Sequence, residues 1–260
     1  MSASGAAFSL LYELALRDFK RRYVGSVLGW LWGVIHPLVL LVVYTFLFRY
    51  AFGARLPPDE ATQSYPLFLL AGMLPWLLFS ETLVRSATVL TDHSALIKKS
   101  VFPAEALPMS ILASTGLAHL LSLAVLVMAA VGWGHFPTVF LAQLPVIAGL
   151  LGMFSLGLAW IVAAFQVYLR DTAQVVSVAM TAWFWVTPVF LPEAFYRGKL
   201  DAALEWNPLR YVVMGYRAAI LGGQPIGLGD LGRLLVFSLV AFAVGAVFFR
   251  RAKRGFADVM

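Results

Sequence analysis

Cysteine is absent from this 260-residue chain, so disulfides and thiolate metal sites are excluded. Charge is nearly as scarce. Asp, Glu, Lys and Arg together make up 12% of residues, against about 25% in a soluble globular chain. A water-soluble fold needs more charge than that to cover its surface, which rules out soluble enzymes and disordered tails together. Acids are the scarcer sign, 13 against 19 bases, for a net charge of +6. What fills the space is apolar: 61% hydrophobic residues and a mean hydropathy of +0.85. The composition predicts an all-α polytopic membrane protein.

Catalytic and nucleotide-binding motifs are missing too. A phosphate-binding loop needs G-x-x-x-x-G-K-[ST]. Here Gly198-Lys199 is followed by Leu200, and Glu193 stands where the first Gly belongs. GLGDLG at 227–232 fits G-x-G-x-x-G, but no strand precedes it and it leads into an apolar helix, so it reads as a glycine turn. H-E-x-x-H and G-x-S-x-G are absent, and no two of the four histidines can share one helical face.

The long apolar runs are informative. Crossing a hydrocarbon core takes about 20 residues of helix. Gly29–Phe48 and Tyr65–Val84 are such runs, the second holding Glu81. From 106 to 169 no Lys, Arg, Asp or Glu occurs, enough for two helices broken at GWGHFPT, 132–138. Thr172–Pro192 and Leu234–Phe249 complete an expected six spans. Twelve of the basic residues fall on the side of both termini and seven opposite, which places the termini in the cytoplasm. The first run starts too late and runs too long for a cleaved signal and reads as a retained anchor.

Ahead of it, Phe8, Leu11, Tyr12, Ala15, Leu16, Phe19 and Tyr23 recur at spacings of three and four, with Glu13, Arg17, Lys20 and Arg21 opposite. This is a basic amphipathic helix expected in the membrane surface plane. A plain anchor and a contact for a partner both fit it. In SALIKKSVFPAEALP, 94–108, apolar Leu96, Ile97, Val101 and Phe102 surround Lys98 and Lys99. Docking into a partner's groove and packing on the membrane surface are both open. Farther on, Asn207 is a good N-cap, Pro208 suits the first helical position, and Gly222 is the expected stop. The helix between, 208–221, measures about 21 Å, too short to cross. It carries Arg210 and Arg217 on one face and reads as re-entrant or interfacial.

Three ionisable residues fall inside spans: His36, Glu81 and His119. Glu81 precedes Arg85 by four residues, a favourable local pair, and no relay among the three is evident. His36 precedes Pro37, a kink site. Aromatics are plentiful at 14%, with eight Trp. Trp30, Trp32 and Trp133 fall at boundaries, while Trp76, Trp183 and Trp185 sit deeper. Flat rings bury sugar C–H faces without fixed hydrogen bonds, and lipid-facing packing uses them equally well.

Taken in order, RDFKRRYVGSVLGWLWGVIHPLVLLVVYTFLF at 17–48, LLAGMLPWLLFSE at 69–81, LIKKSVFP at 96–103, YLRDT at 168–172, WFWVTPVFLP at 183–192 and NPLRYVVMGYRAAILGG at 207–223 resemble the permease subunit of bacterial ABC exporters for polysaccharides and polyol phosphates. That family exports O-antigen, capsule and teichoic acid chains. One departure is His36, where Gln is expected before the proline.

The resemblance implies a single transmembrane domain over 1–260: an interface helix (1–28), spans 1–5 (29–192), gate helices outside the cytoplasm (193–230), span 6 (231–250) and a cytoplasmic tail (251–260). It implies a homodimer in the bacterial inner membrane over two separate ATPase subunits that bind ATP and Mg, with no cofactor or metal in this chain. Arg17, Lys20, Arg21, Leu96, Ile97, Lys98, Lys99 and Phe102 would then receive the ATPase stroke. Trp32, Tyr44, Phe48, Trp76, Phe79, Trp183 and Trp185 would line the path, and Asn207, Pro208, Arg210, Tyr211, Tyr216 and Arg217 would form the outer gate. The expected cargo is a lipid-linked polysaccharide, O-antigen first, with capsule, teichoic acid or small-molecule efflux by the same fold as alternatives. A membrane-embedded glycosyl- or acyltransferase would need an acid–base pair, for which Arg170-Asp171 is the one candidate.

Overall fold

A computed structural model describes residues 3–23, 27, 29–58, 60–98, 102–196 and 198–259; Leu28, Lys99, Val101 and Arg197 lie outside the described residues. Among the described residues there is no strand. The helices are α1 (Ala3–Tyr23), α2 (Trp32–Thr45), α3 (Tyr65–Asp92), α4 (Ser94–Ile97), α5 (Ala106–Gly132), α6 (Leu144–Tyr168), α7 (Thr172–Val186), α8 (Asp201–Glu205), α9 (Pro208–Arg217), α10 (Leu228–Ala252) and α11 (Phe256–Val259). π-helical turns, Phe46–Ala51 and Ala218–Gly222, extend α2 and α9.

Among the described residues four stretches are long and apolar enough to cross a membrane: Tyr65–Asp92, Ala106–Gly132, Val139–Tyr168 and Leu228–Gly255. Two further apolar helices, Ile35–Ala51 and Thr172–Val186, are shorter. The apolar run expected to continue from Thr172 to Pro192 thus stops being helical at Val186. The cause is Pro188: a residue before proline is driven out of the α region, and Thr187 takes ψ 134°. Between α5 and α6 the expected turn is present, with Gly134 at φ +87° in a conformation that costs a residue with a Cβ. Gly222 does not end α9. The π-helical turn carries the chain one residue further, to Gly223 at φ +56°.

The core is built around α3. Within its most apolar stretch 78% of the residues are buried, against 22% in α10, because α2, α5, α6, α7 and α9 all pack on α3. By contrast, α10 meets mainly α6, and does so closely. A Cβ on Gly157 of α6 would overlap the Ala241 backbone, and one on Gly245 would overlap that of Gly157. Small residues at such a crossing let two helix backbones touch, which is how apolar helices gain packing without a hydrophobic drive between them.

The bundle has two distinct ends. One holds α1, α4, α11 and a second apolar cluster that includes Leu90, Leu107, Trp160, Phe249 and Phe256. The other holds α8, α9 and the segment after α7. Helix α1 packs on α5, burying Ala15, while Tyr12 of its expected apolar face is 61% exposed.

Candidate functional site

Helices α2, α3, α5 and α7 enclose an open cleft of about 800 Å³. Its lining follows helical spacing. Trp32, His36 and Tyr44 come from α2, and Trp76, Ser80, Glu81, Val84 and Arg85 from α3. Thr115, His119 and Ser122 come from α5, and Ser177, Thr181, Phe184 and Trp185 from α7. The cleft therefore gathers four of the aromatic residues singled out in the sequence, Trp32, Tyr44, Trp76 and Trp185. It also brings His36, Glu81 and His119 to one space, although no relay among them is evident from their spacing. Which helix faces converge depends on tertiary packing.

Of the other three aromatics, Phe48 and Phe79 lie in the core and Trp183 packs against it. Phe48 stacks on Phe190 at 4.8 Å between ring centres. Phe79 is fully buried against Phe154 and Trp183, at 5.6 and 5.2 Å. Trp183 turns its indole Nε1–H to Asn207 Oδ1, 3.0 Å away.

His119 connects the cleft to α9, its Nε2 hydrogen-bonding the Tyr216 hydroxyl at 2.9 Å. Helix α9 begins as the sequence suggests. Asn207 Oδ1 accepts from the Leu209 backbone N–H at 3.1 Å, and its amide Nδ2 also donates to Thr187 Oγ1 at 3.0 Å. Arg210 makes a two-pronged pair with Glu193, at 2.9 and 2.6 Å. Tyr211 donates to the Glu205 carbonyl at 2.7 Å.

Arg217, although seven residues from Arg210, points to different partners. It is buried and donates to three backbone carbonyls: Phe68 at 3.2 Å, Pro188 at 2.8 Å and Val189 at 2.7 Å. Its guanidinium carbon also lies 3.5 Å from the centre of the Phe68 ring, a cation–π contact. Burial pushes its pKa down to about 9, with the charge of Glu60 acting in the opposite direction, so it remains a cation at neutral pH.

At the opposite end, Arg85 reaches past Glu81. The Glu81 contact is loose at 3.8 Å, while both Asp18 oxygens lie 2.7 Å from Arg85 Nη2. Asp18, which sequence reasoning missed, thus ties α1 to α3. Arg17 and Lys20 are exposed on α1 and Arg21 sits in its last turn. Leu96 is half-buried, Lys98 is exposed, and Ile97 and Phe102 pack against the second apolar cluster. Beside them Lys253 clasps Glu105 at 2.8 Å. Among the described residues no group of His, Asp and Glu could hold a metal ion.

The family model for ABC-2 type transporters matches residues 9–221. The chain belongs to that family. It is accordingly a multi-pass membrane transport subunit and not an enzyme, and an ABC-2 permease works with an ATPase partner in its transporter. Among relatives of this ABC-2 permease, the O-antigen export system permease protein RfbA of Myxococcus xanthus is 30% identical, over 96% of this chain and 94% of that protein. A Klebsiella pneumoniae protein of the same name is 27% identical over 98% and 96%. The polysialic acid transport protein KpsM of Escherichia coli is 24% identical, over 91% of each chain.

Proposed function

We propose that this chain is the permease of an ATP-driven exporter that moves a lipid-linked polysaccharide, O-antigen in the first instance, across the bacterial inner membrane. The observation that carries this reading is near-full-length similarity to O-antigen export permeases at 27–30% identity. The cleft supports it: indole and phenol faces beside Ser, Thr and His side chains suit sugar rings, which bury C–H faces and offer hydroxyls. Capsule export is the second reading, favoured by the likeness to a polysialic acid transport protein.

In this account the chain makes six crossings, with α2 lengthened by its π-helical turn and the short α7 counted as spans. Residues 1–260 form one transmembrane domain with both termini cytoplasmic, as the distribution of Lys and Arg suggests. Two copies pair, and the path runs between them, with each cleft opening onto it. Two separate ATPase subunits bind ATP and Mg beneath. Their stroke arrives through Arg17, Lys20 and Arg21 of α1 and through Leu96, Ile97, Lys98, Lys99 and Phe102. Trp32, Tyr44, Trp76 and Trp185 offer surfaces along which sugar rings slide. Phe48, Phe79 and Trp183 stand behind them as packing. Helices α8 and α9 cap the far mouth, with Asn207, Pro208, Arg210, Tyr211, Tyr216 and Arg217 holding the cap in place.

Deleting the gene tests this reading. Lipid-linked polymer should accumulate inside the cell while surface polymer disappears. A strain that makes no polymer at all would point to synthesis instead. Replacing Lys98 and Lys99 with Glu should leave insertion intact and uncouple ATP hydrolysis from export.

A further inference from the structure

The segment 187–193, which follows α7, is held almost residue by residue by side chains from elsewhere. Asn207 holds the Thr187 hydroxyl, Arg217 the carbonyls of Pro188 and Val189, and Arg210 the Glu193 carboxylate. Tyr65 of α3 donates to the Phe190 carbonyl at 2.9 Å. Three of these four side chains belong to α9 or its N-cap, so the strap and α9 are cross-linked at several points.

Arg217 adds something the others do not. Its Nε–H reaches the Phe68 carbonyl on α3 while its two Nη groups hold the strap. A planar guanidinium presents donors in a fixed fork, so one side chain sets the relative position of three segments at once. Helix α3 leaves room for it. A Cβ on Gly72 would come within 2.8 Å of Arg217 Nη2 and 3.3 Å of Val213 Cγ1. The small residue one helical turn after Phe68 is thus the seat of the guanidinium.

We infer that Arg217, seated over Gly72, is a positioning residue for transport: it makes α9 and the 187–193 strap one rigid cap fastened to α3, so that the end of α7, α9 and the start of α3 move as one body. The inference rests on the proposed permease reading for its functional half, since the strap begins where α7 ends. Its structural half stands on the contacts alone. A residue that merely filled space would be replaceable by an apolar one of similar length. A pin would not, because the Pro188 and Val189 carbonyls would lose their donors together.

The test uses the full chain assembled with its ATPase. Arg217→Met removes the fork, Arg217→Lys keeps the charge without it, and Gly72→Ala keeps every donor but crowds the seat. In Arg217→Met, backbone amide exchange in 187–193 and in 208–217 should rise together, with α5 and α6 unchanged. ATP hydrolysis should stay within about twofold, and surface polymer per ATP hydrolysed should fall at least about tenfold. Arg217→Lys should restore part of that loss, and Gly72→Ala should show the same pattern at about threefold. Gly72→Ala decides the matter if Arg217→Met does not assemble. Exchange rising in only one of the two segments would overturn the pin. So would export that falls only in proportion to the amount of assembled complex, or variants that export as well as the parent. If the parent itself delivers no polymer while the two segments still loosen together, the permease reading fails and the pin survives.

Discussion

The two ends of the bundle are fastened by different chemistry. At the α9 end the ties are short and mostly buried, and several join side chain to backbone: Arg217 to three carbonyls, Tyr65 to the Phe190 carbonyl and the Leu209 N–H to Asn207, with Asn207 to Thr187 joining two side chains. At the α1 end the charged ties are partly exposed ion pairs, beside a Tyr168 hydroxyl that donates to the Ala252 carbonyl. Asp18–Arg85 joins side chains 23% and 24% exposed, and Glu105–Lys253 joins side chains 32% and 38% exposed. Buried polar networks are costly to disrupt because each lost partner leaves an unpaired group. Partly exposed ion pairs contribute less and are screened by salt. The comparison teaches a division of stiffness. One end is built to hold its shape, and the other can rearrange at small cost where a partner's stroke would arrive.

Substitutions can break or sharpen that contrast. Asn207→Ala has the largest expected effect. It removes a helix cap and two side-chain hydrogen bonds at once, and should destabilise the protein by about 2 kcal/mol in a detergent unfolding titration. Asp18→Asn should cost no more than about 1 kcal/mol. Its more telling readout is proteolysis, with α1 becoming susceptible while α9 does not. Lys253→Ala should be smallest, about 0.5 kcal/mol, and should vanish in high salt because the pair it removes is already screened there. An Asn207→Ala loss no larger than that of Lys253→Ala would erase the contrast.

The sequence made some of this legible. Scarce charge and long apolar runs announce the helical membrane class, and Asn207-Pro208 marks the start of α9 by local chemistry alone. Gly132 and Gly134 mark the turn between α5 and α6 for the same reason. The length of α7 was misjudged because Pro188 acts on the backbone of Thr187, whereas hydropathy runs on to Pro192. The end of α9 moved to Gly223 because the chain inserts a π-helical turn, which changes register without any side-chain signal. The cleft was the hardest part to see. His36, Glu81 and His119 lie on three different helices, and only packing around α3 turns them toward one space. The same is true of Arg217. It reads in the sequence as one of two arginines sharing a face of a re-entrant or interfacial helix, but its partners are backbone carbonyls, which have no sequence signature. Asp18 was overlooked because it lies among basic residues whose sign dominated the reading of α1.

The most direct test of the central claim, that this subunit supplies the conduit and a separate ATPase supplies the work, is transport into sealed vesicles holding the purified chain. Lipid-linked polymer should cross only when the ATPase partner and ATP are both present, and the chain alone should move none. Polymer movement by the chain alone, or ATP turnover without the partner, would contradict the account.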